Sequence, residues 1–223
     1  MFKKTKWAFL FFYFFLVADY GYSFAIPHKC KTNGMFALTL DDGVSKNYDI
    51  TLSILKQEKV KATFFVVGET LVAPKNIQRL KQAYADGHLI ANHTWNHYDL
   101  TSLGEEEIKK EILSAQNAIC QNIPLETKYI RTPYGSINNR VFSILTTMGY
   151  TPVYWNIDAK DWKRSSTQIL ATYKKIFLNA DPTKTSFISV LHDRRKETIA
   201  VLPEIIQLVK SKGFSFVRIS ECI

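Results

Sequence analysis

From residue 35 onward, short apolar runs alternate with amphipathic stretches. The runs 35–40, 62–67, 89–92, 128–131, 152–158, 186–191 and 214–218 read as strands, being short and rich in β-branched and aromatic side chains. Between them, 47–58, 76–86, 104–119, 138–148, 166–177 and 197–211 carry apolar positions at helical spacing. Gly87, Gly149 and Gly213 follow three of these segments, where a helix ends on a left-handed residue. Strand–helix alternation predicts parallel βα units. The fold class expected is α/β, a distorted, incomplete (β/α) barrel of about seven parallel strands, with an open doubly wound sheet as the alternative. No repeat, low-complexity tract or linker interrupts the chain after residue 26.

The polar residues at the strand ends favour the barrel. Asp41 and Asp42 follow the first strand and His93 follows the third. Arg131 closes the fourth, Asp158 closes the fifth and His192 follows the sixth. All lie at C-terminal ends, which a barrel gathers on one face. An open sheet spreads them along an edge.

The first residues alter the picture of where the protein works. Lys3, Lys4 and Lys6 precede an unbroken apolar run at 8–17, and Ser23-Phe24-Ala25 has the small-x-small form of a cleavage site. Ten apolar residues are too few for a comfortable span, which needs roughly 20. The expectation is a signal peptide at 1–25 and one domain at 26–223, with an uncleaved anchor as the alternative. Export to the cell exterior or wall follows, with no stable membrane insertion once the leader is removed. The formal net charge of +9 falls to about +7 without the leader, and its lysines are scattered. No basic arm points to nucleic acid, and a monomer is expected. In an exported chain, Cys30 and Cys222 bracket the domain and are expected to form a disulfide. Cys120, late in a predicted helix, is expected to be a buried, inert thiol.

The histidines in His93-Thr94-Trp95-Asn96-His97 are four apart, a spacing that places two imidazoles on one face of a helical turn. With a carboxylate from elsewhere they suit a three-ligand zinc site with an open position. Asp41-Asp42 supplies one carboxylate for the metal and a spare to accept a proton, and spacing alone does not say which is which. His192 is left to donate a proton. His88, entering a strand, reads as structural, and His28 as exposed. Asp161 and Asp193 suit either salt bridges or the orienting of a histidine or arginine.

Five ordered segments carry a resemblance: Thr39-Leu40-Asp41-Asp42-Gly43, His93–His97, Arg131-Thr132-Pro133-Tyr134-Gly135, Asp158-Ala159-Lys160-Asp161-Trp162 and Leu191-His192-Asp193. Together they resemble the motifs of polysaccharide deacetylases with a NodB-type domain. The wording around Lys61–Phe65, Ile90–Trp95 and Ser220–Cys222 is nearest to chitin deacetylases of fungal type. The resemblance implies hydrolysis of N-acetyl groups from N-acetylglucosamine units in chitin or chito-oligomers. A peptidoglycan deacetylase and a non-catalytic carbohydrate-binding relative are the alternatives. It implies zinc, or another divalent transition metal such as cobalt, on Asp42, His93 and His97. It implies Asp41 as base, oriented by Arg131 with Asp158 pairing in turn, and His192 as acid. The amide N–H of Tyr134 is implied for the oxyanion, Leu191 for the acetyl pocket, and Trp162 and Tyr134 as sugar walls. Leu40, Val44 and Thr132 depart from the usual Phe, Pro and Pro, which touches the walls and not the reacting groups.

Overall fold

A computed structural model describes residues 25–223. The expected signal peptide, apart from Ala25, lies outside the described residues. The sheet is wholly parallel, with strands β1 (Met35–Gly43), β2 (Thr63–Val66), β3 (Leu89–Asn92), β4 (Tyr129–Ile130), β5 (Thr151–Pro152), β6 (Ile157–Asp158), β7 (Phe187–His192) and β8 (Ser215–Val217). Its order is β5-β4-β3-β2-β1-β7-β6, with β8 beside the start of β1. Helices α1 (Tyr48–Gln57), α2 (Pro74–Ala85), α3 (Glu105–Cys120), α4 (Asn139–Thr147), α5 (Ser166–Leu178) and α6 (Lys196–Ser211) answer to the six predicted ones, and α7 (Ile219–Cys222) is a short addition. Gly87, Gly149 and Gly213 all take the expected positive φ.

Alternation along β1 sorts the chain into two layers. Phe36, Leu38 and Leu40 pack outward with Tyr48, Leu55, Tyr173 and Leu202 in the large core under the helices. Ala37 faces inward with Phe65, Ala91, Val153 and Ile188. Both faces are therefore covered, which is why the strands read as continuous apolar runs. Burying a side chain of this size is worth about 1.5–3 kcal/mol, so the outer core fixes the curl.

The predicted strand at 152–158 is two strands. β5 pairs with β4 at one edge of the sheet, and β6 pairs with β7 at the other. Between them, the Val153 N–H donates to Ile130 O and the Asn156 N–H to Ile188 O. One stretch of chain thus crosses the opening between the two edges and draws the sheet into an incomplete barrel. The N–H groups of Thr151 and Val153 serve β4, so the missing N–H of Pro152 falls on the open side of this edge strand, where a proline is tolerated.

Ile219 and Cys222 of α7 join the inward cluster, and the Ile219 N–H donates to Thr63 Oγ1 at the start of β2. They close the barrel floor. Cys30 and Cys222 form the expected disulfide, with Cα atoms 4.5 Å apart across 192 residues of sequence. Closing a loop of that length constrains the unfolded chain by about 4–5 kcal/mol on chain-entropy grounds. Cys120 departs from expectation: it is a free and exposed thiol. The core stripe of α3 runs through Ile108, Ile112, Ala115 and Ile119, and Cys120 lies one residue beyond it, rotated toward solvent.

Candidate active site

The predicted polar residues do meet. Asp41, Asp42, His93, His97, Asp158 and His192 line one cavity of about 430 Å³ at the C-terminal ends of the strands. Adjacent residues of a strand normally face opposite ways. Here the β1–β2 register shifts between Asp41 and Gly43, and Asp42 is left-handed with φ 67°. That bulge turns both carboxylates into the cavity.

The histidine pair converges by a route other than the expected helical turn. Residues 93–97 are a loop, in which Thr94 (φ 66°) and His97 (φ 60°) are left-handed. Such conformations cost of order 1–3 kcal/mol and need outside support. Glu111 of α3 supplies it: its carboxylate accepts from the N–H groups of Trp95 and Asn96 and from Asn96 Nδ2 at 2.6–3.1 Å. Asn92 Oδ1 accepts from the Thr94 N–H, and Thr94 Oγ1 from the His97 N–H. His93 Nδ1 lies 2.7 Å from the carbonyl oxygen of Arg131. A carbonyl only accepts, so that nitrogen carries the proton and Nε2 keeps its lone pair for the cavity.

Both imidazoles aim Nε2 at Asp42 Oδ1, at 3.4 Å for His93 and 3.1 Å for His97. One ligand atom from each of the three residues lies within 4.8 Å of the others. Oδ1 is buried and takes no well-formed hydrogen bond. Two imidazoles and one carboxylate, with one ligand atom of each converging and the carboxylate oxygen lacking a donor, fit a zinc-type ion. Arg194 Nη2 forms an ion pair with Asp42 Oδ2 at 2.9 Å.

Asp41 is held differently. Its Oδ1 lies 2.7 Å from Nη1 of Arg131, which is fully buried. The same guanidinium donates to Thr39 Oγ1 and to the carbonyls of Val153 and Tyr154. It also lies 4.1 Å from the centroid of the Phe65 ring. The expected pairing of Arg131 with Asp158 is not formed. The guanidinium is engaged by Asp41, Thr39 and two carbonyls of the backbone crossing the barrel opening, and Asp158 Oδ1 accepts from the Lys160 N–H instead.

The carboxylate paired with the second histidine is Asp161. His192 Nδ1 lies 2.7 Å from Asp161 Oδ1, while Asp161 Oδ2 accepts from the His192 N–H and Thr198 Oγ1. Burial disfavours a charged His192, but the hydrogen bond and charge of Asp161, with Asp41 and Asp42 behind it, raise its pKa to about 9. Asp193 does not orient His192. It is buried under Gly43 near the Tyr48 ring, where burial pushes its carboxyl up to about 7.

The walls need one correction. Leu191 is fully buried in the helix-side core, and Val190 lines the cavity. On β7 the residues facing the interior are Ile188, Val190 and His192, so Leu191 has the wrong parity. That alternation was legible from His192 alone. Tyr134, left-handed at φ 62°, sets its ring 4.8 Å from that of His97 and is 70% exposed. Trp162, 51% exposed, forms a second aromatic wall, and Trp155 a third. His88 is structural as expected: buried, it accepts from the Ala62 N–H, and burial lowers its pKa to about 4. Glu111, Arg194, Val190 and Trp155 were not singled out from the sequence. Glu111 had a signal, being an acid within the apolar stripe of α3.

A curled parallel barrel thus gathers an Asp-His-His cluster, an aspartate held by a buried arginine and an aspartate-held histidine around one cavity. Residues 28–153, more than half of the chain, match the model of the family described as "Polysaccharide deacetylase". The chain belongs to the polysaccharide deacetylase family. It is 34% identical over 194 residues to the peptidoglycan-N-acetylglucosamine deacetylase PgdA of Listeria monocytogenes, covering 86% of this chain but 40% of that protein. It is 33% identical to the chitin deacetylase of Colletotrichum lindemuthianum, covering 87% of this chain and 82% of the relative. The structure of the chitin deacetylase from that fungus superposes with a TM-score of 0.84 at 30% identity, over 89% of this chain and 91% of the other.

Proposed function

We propose that the protein is a metal-dependent deacetylase acting on N-acetylglucosamine units of chitin, chito-oligomers or peptidoglycan glycan strands, releasing acetate. The observation that carries this reading is one cavity holding the cluster Asp42, His93 and His97 beside Asp41 and His192. Relatives named for chitin and for peptidoglycan match about equally well. The disulfide supports work in an oxidising compartment, and we read the protein as an exported monomer.

The residues divide the labour of amide hydrolysis. Asp42, His93 and His97 would hold zinc, or cobalt in its place. A divalent ion in such a site polarises a carbonyl and makes water nucleophilic near neutral pH. Asp41 takes the proton of the attacking water, and Arg131 holds its carboxylate in register. His192, kept protonated by Asp161, delivers a proton to the departing nitrogen. The N–H of Tyr134 shares the developing oxyanion charge. Val190 stands where the acetyl methyl needs an apolar wall, and Tyr134 and Trp162 offer ring faces to the sugars.

Acetate release from chitopentaose and from peptidoglycan, before and after chelation and zinc return, tests the proposal. Chelator-sensitive, zinc-restored release is expected on at least one of them. Tight binding of both by zinc-loaded protein without acetate would leave a carbohydrate-binding relative.

A further inference from the structure

The backbone that crosses the barrel opening holds more than Arg131. Its carbonyls at Val153 and Tyr154 accept from the guanidinium, and the Trp155 ring centroid lies 5.2 Å from the guanidinium carbon. Two side chains of the same segment also reach the turn after β4, residues 133–135, which carries the Tyr134 N–H. Tyr154 Oη donates to the Gly135 carbonyl at 2.7 Å. The Trp155 ring packs so closely on Gly135 that a Cβ there would lie 2.9 Å from it. Neither contact takes part in the hydrolysis steps themselves.

That turn needs support from outside. Tyr134 and Gly135 are successive left-handed residues, at φ 62° and 68°. Glycine takes this conformation freely, but tyrosine does so at a cost that its surroundings must offset. The Tyr134 side chain is mostly exposed and its ring meets that of His97, so it anchors the turn weakly. Two N–H groups close the turn from within, Gly135 to the Thr132 carbonyl at 3.1 Å and Ser136 to that of Pro133 at 3.0 Å. Both bonds tie the turn to itself and leave its tilt toward the cavity open. The Tyr154 hydroxyl and the Trp155 ring fix that tilt by pinning the far side of the turn to the crossing segment. Burial raises the Tyr154 pKa, so the hydroxyl stays a donor at working pH. A preorganised donor acts only when it meets the place where charge develops, and a small misplacement costs rate.

We propose that Tyr154 is a positioning residue, whose hydroxyl aims the Tyr134 N–H at the developing oxyanion while its backbone carbonyl holds Arg131 behind Asp41. This rests on the deacetylase reading above and adds to it a side chain that stands behind the cavity wall. One segment of chain thereby sets the direction of both the base and the oxyanion donor.

Tyr154→Phe tests it, because it removes the hydroxyl and keeps the ring, its contact with Trp155 and the carbonyl on Arg131. The zinc-loaded variant and the unaltered protein are compared on a soluble glycan that releases acetate, chitopentaose or oligomers cut from peptidoglycan. Zinc content is measured alongside, with calorimetric affinity for an oligomer in which a methylphosphonyl group, tetrahedral and anionic, replaces one acetyl. Loss of one neutral hydrogen bond predicts a fall in kcat of about threefold to tenfold, with KM within about twofold. Affinity for the phosphonyl oligomer should fall by the same factor as kcat, since it copies the oxyanion. Zinc content and the basic limb set by His192 should not move, which a general loosening of the site would not spare. An unchanged kcat, a loss carried wholly by KM, or loss of zinc overturns the proposal. Failure of the deacetylase reading has a different signature, no acetate from any of these glycans with the unaltered protein, and the proposal falls with it.

Discussion

His93 and His192 enter the same cavity from opposite sides, and each Nδ1 meets a different kind of oxygen. His93 meets the carbonyl of Arg131, and His192 meets the carboxylate of Asp161, both at 2.7 Å. A neutral acceptor fixes the tautomer and leaves Nε2 as a lone-pair donor to a cation. A charged acceptor stabilises the imidazolium, and His192 titrates near 9 despite its burial. One residue type thereby offers the cavity two different things, a lone pair suited to a cation on one side and a proton to donate on the other. The supports differ as well. The His93–His97 loop is strained and rests on a buried carboxylate, Glu111, whereas His192 ends a regular strand.

The sharpest break in this contrast comes from the two neighbouring aspartates. Asp42→Ala is expected to lose zinc and activity together, because it removes the only anionic ligand and leaves two imidazoles. Asp41→Asn should keep zinc and chito-oligomer binding while turnover falls about 10³-fold or more, since the amide fills the same space without accepting water's proton. Zinc analysis, oligomer titration and acetate assay on both variants measure this. Loss of zinc in Asp41→Asn with retention in Asp42→Ala would mean the roles are exchanged.

His192→Ala is expected to lower turnover by about 10²–10⁴-fold with zinc content unchanged. Zinc loss in that variant would place His192 among the ligands and remove the contrast altogether.

Asp161→Asn is the milder and more informative change. It removes the charge that raises His192, so the basic limb of the kcat/KM profile should move down from about pH 9 toward the ordinary histidine range. Turnover at pH 8 should fall about tenfold to a hundredfold, with zinc retained. A profile that keeps its basic limb near 9 would show that Asp161 does not set the acid. Stability carries the same signature. The folded pKa of His192 lies above its unfolded value, so its contribution is complete below about pH 6.5 and is lost as pH rises through about 9. Urea midpoints across that range should fall in the unaltered protein and change less in Asp161→Asn.

The smallest effect is expected from Glu111→Gln. It weakens the acceptor that holds the 93–97 loop, so zinc affinity should fall about tenfold and stability by about 1–2 kcal/mol. The pH profile of His192 should stay in place. A matching shift there would mean that the two sides of the cavity are not independently built.

Most of the site was legible because the reacting residues follow strands whose apolar runs are plain. Asp41, Asp42, His93 and His192 could be assigned to one barrel face from periodicity and the rule for C-terminal strand ends. What failed did so for local reasons. The His-x-x-x-His spacing suggested a helical turn, but left-handed Thr94 and His97 bring the rings together in a loop. Leu191 was placed one residue off the interior face. Asp158 was matched to Arg131 but turns to the Lys160 N–H, and of Asp161 and Asp193, both suited to orient a histidine, only Asp161 does so.

The sequence by itself determined the alternation of strands and helices, the face on which the polar residues collect, the residue types needed for amide hydrolysis and the pairing of the terminal cysteines. The elements and the face follow from periodicities of two and 3.6, which any stretch of chain expresses without its neighbours, and the cysteine pairing from their places at the two ends of the domain. Only the tertiary structure decided the remaining partners: Arg131 with two carbonyls, Asp161 with His192, Glu111 with the 93–97 loop, and Arg194 with Asp42. It also split residues 151–158 between the two edges of the sheet. These are contacts between residues 15 to 152 positions apart. Which of several equivalent acids or carbonyls lies within hydrogen-bond reach is set by the curl of the barrel, and no local pattern encodes it.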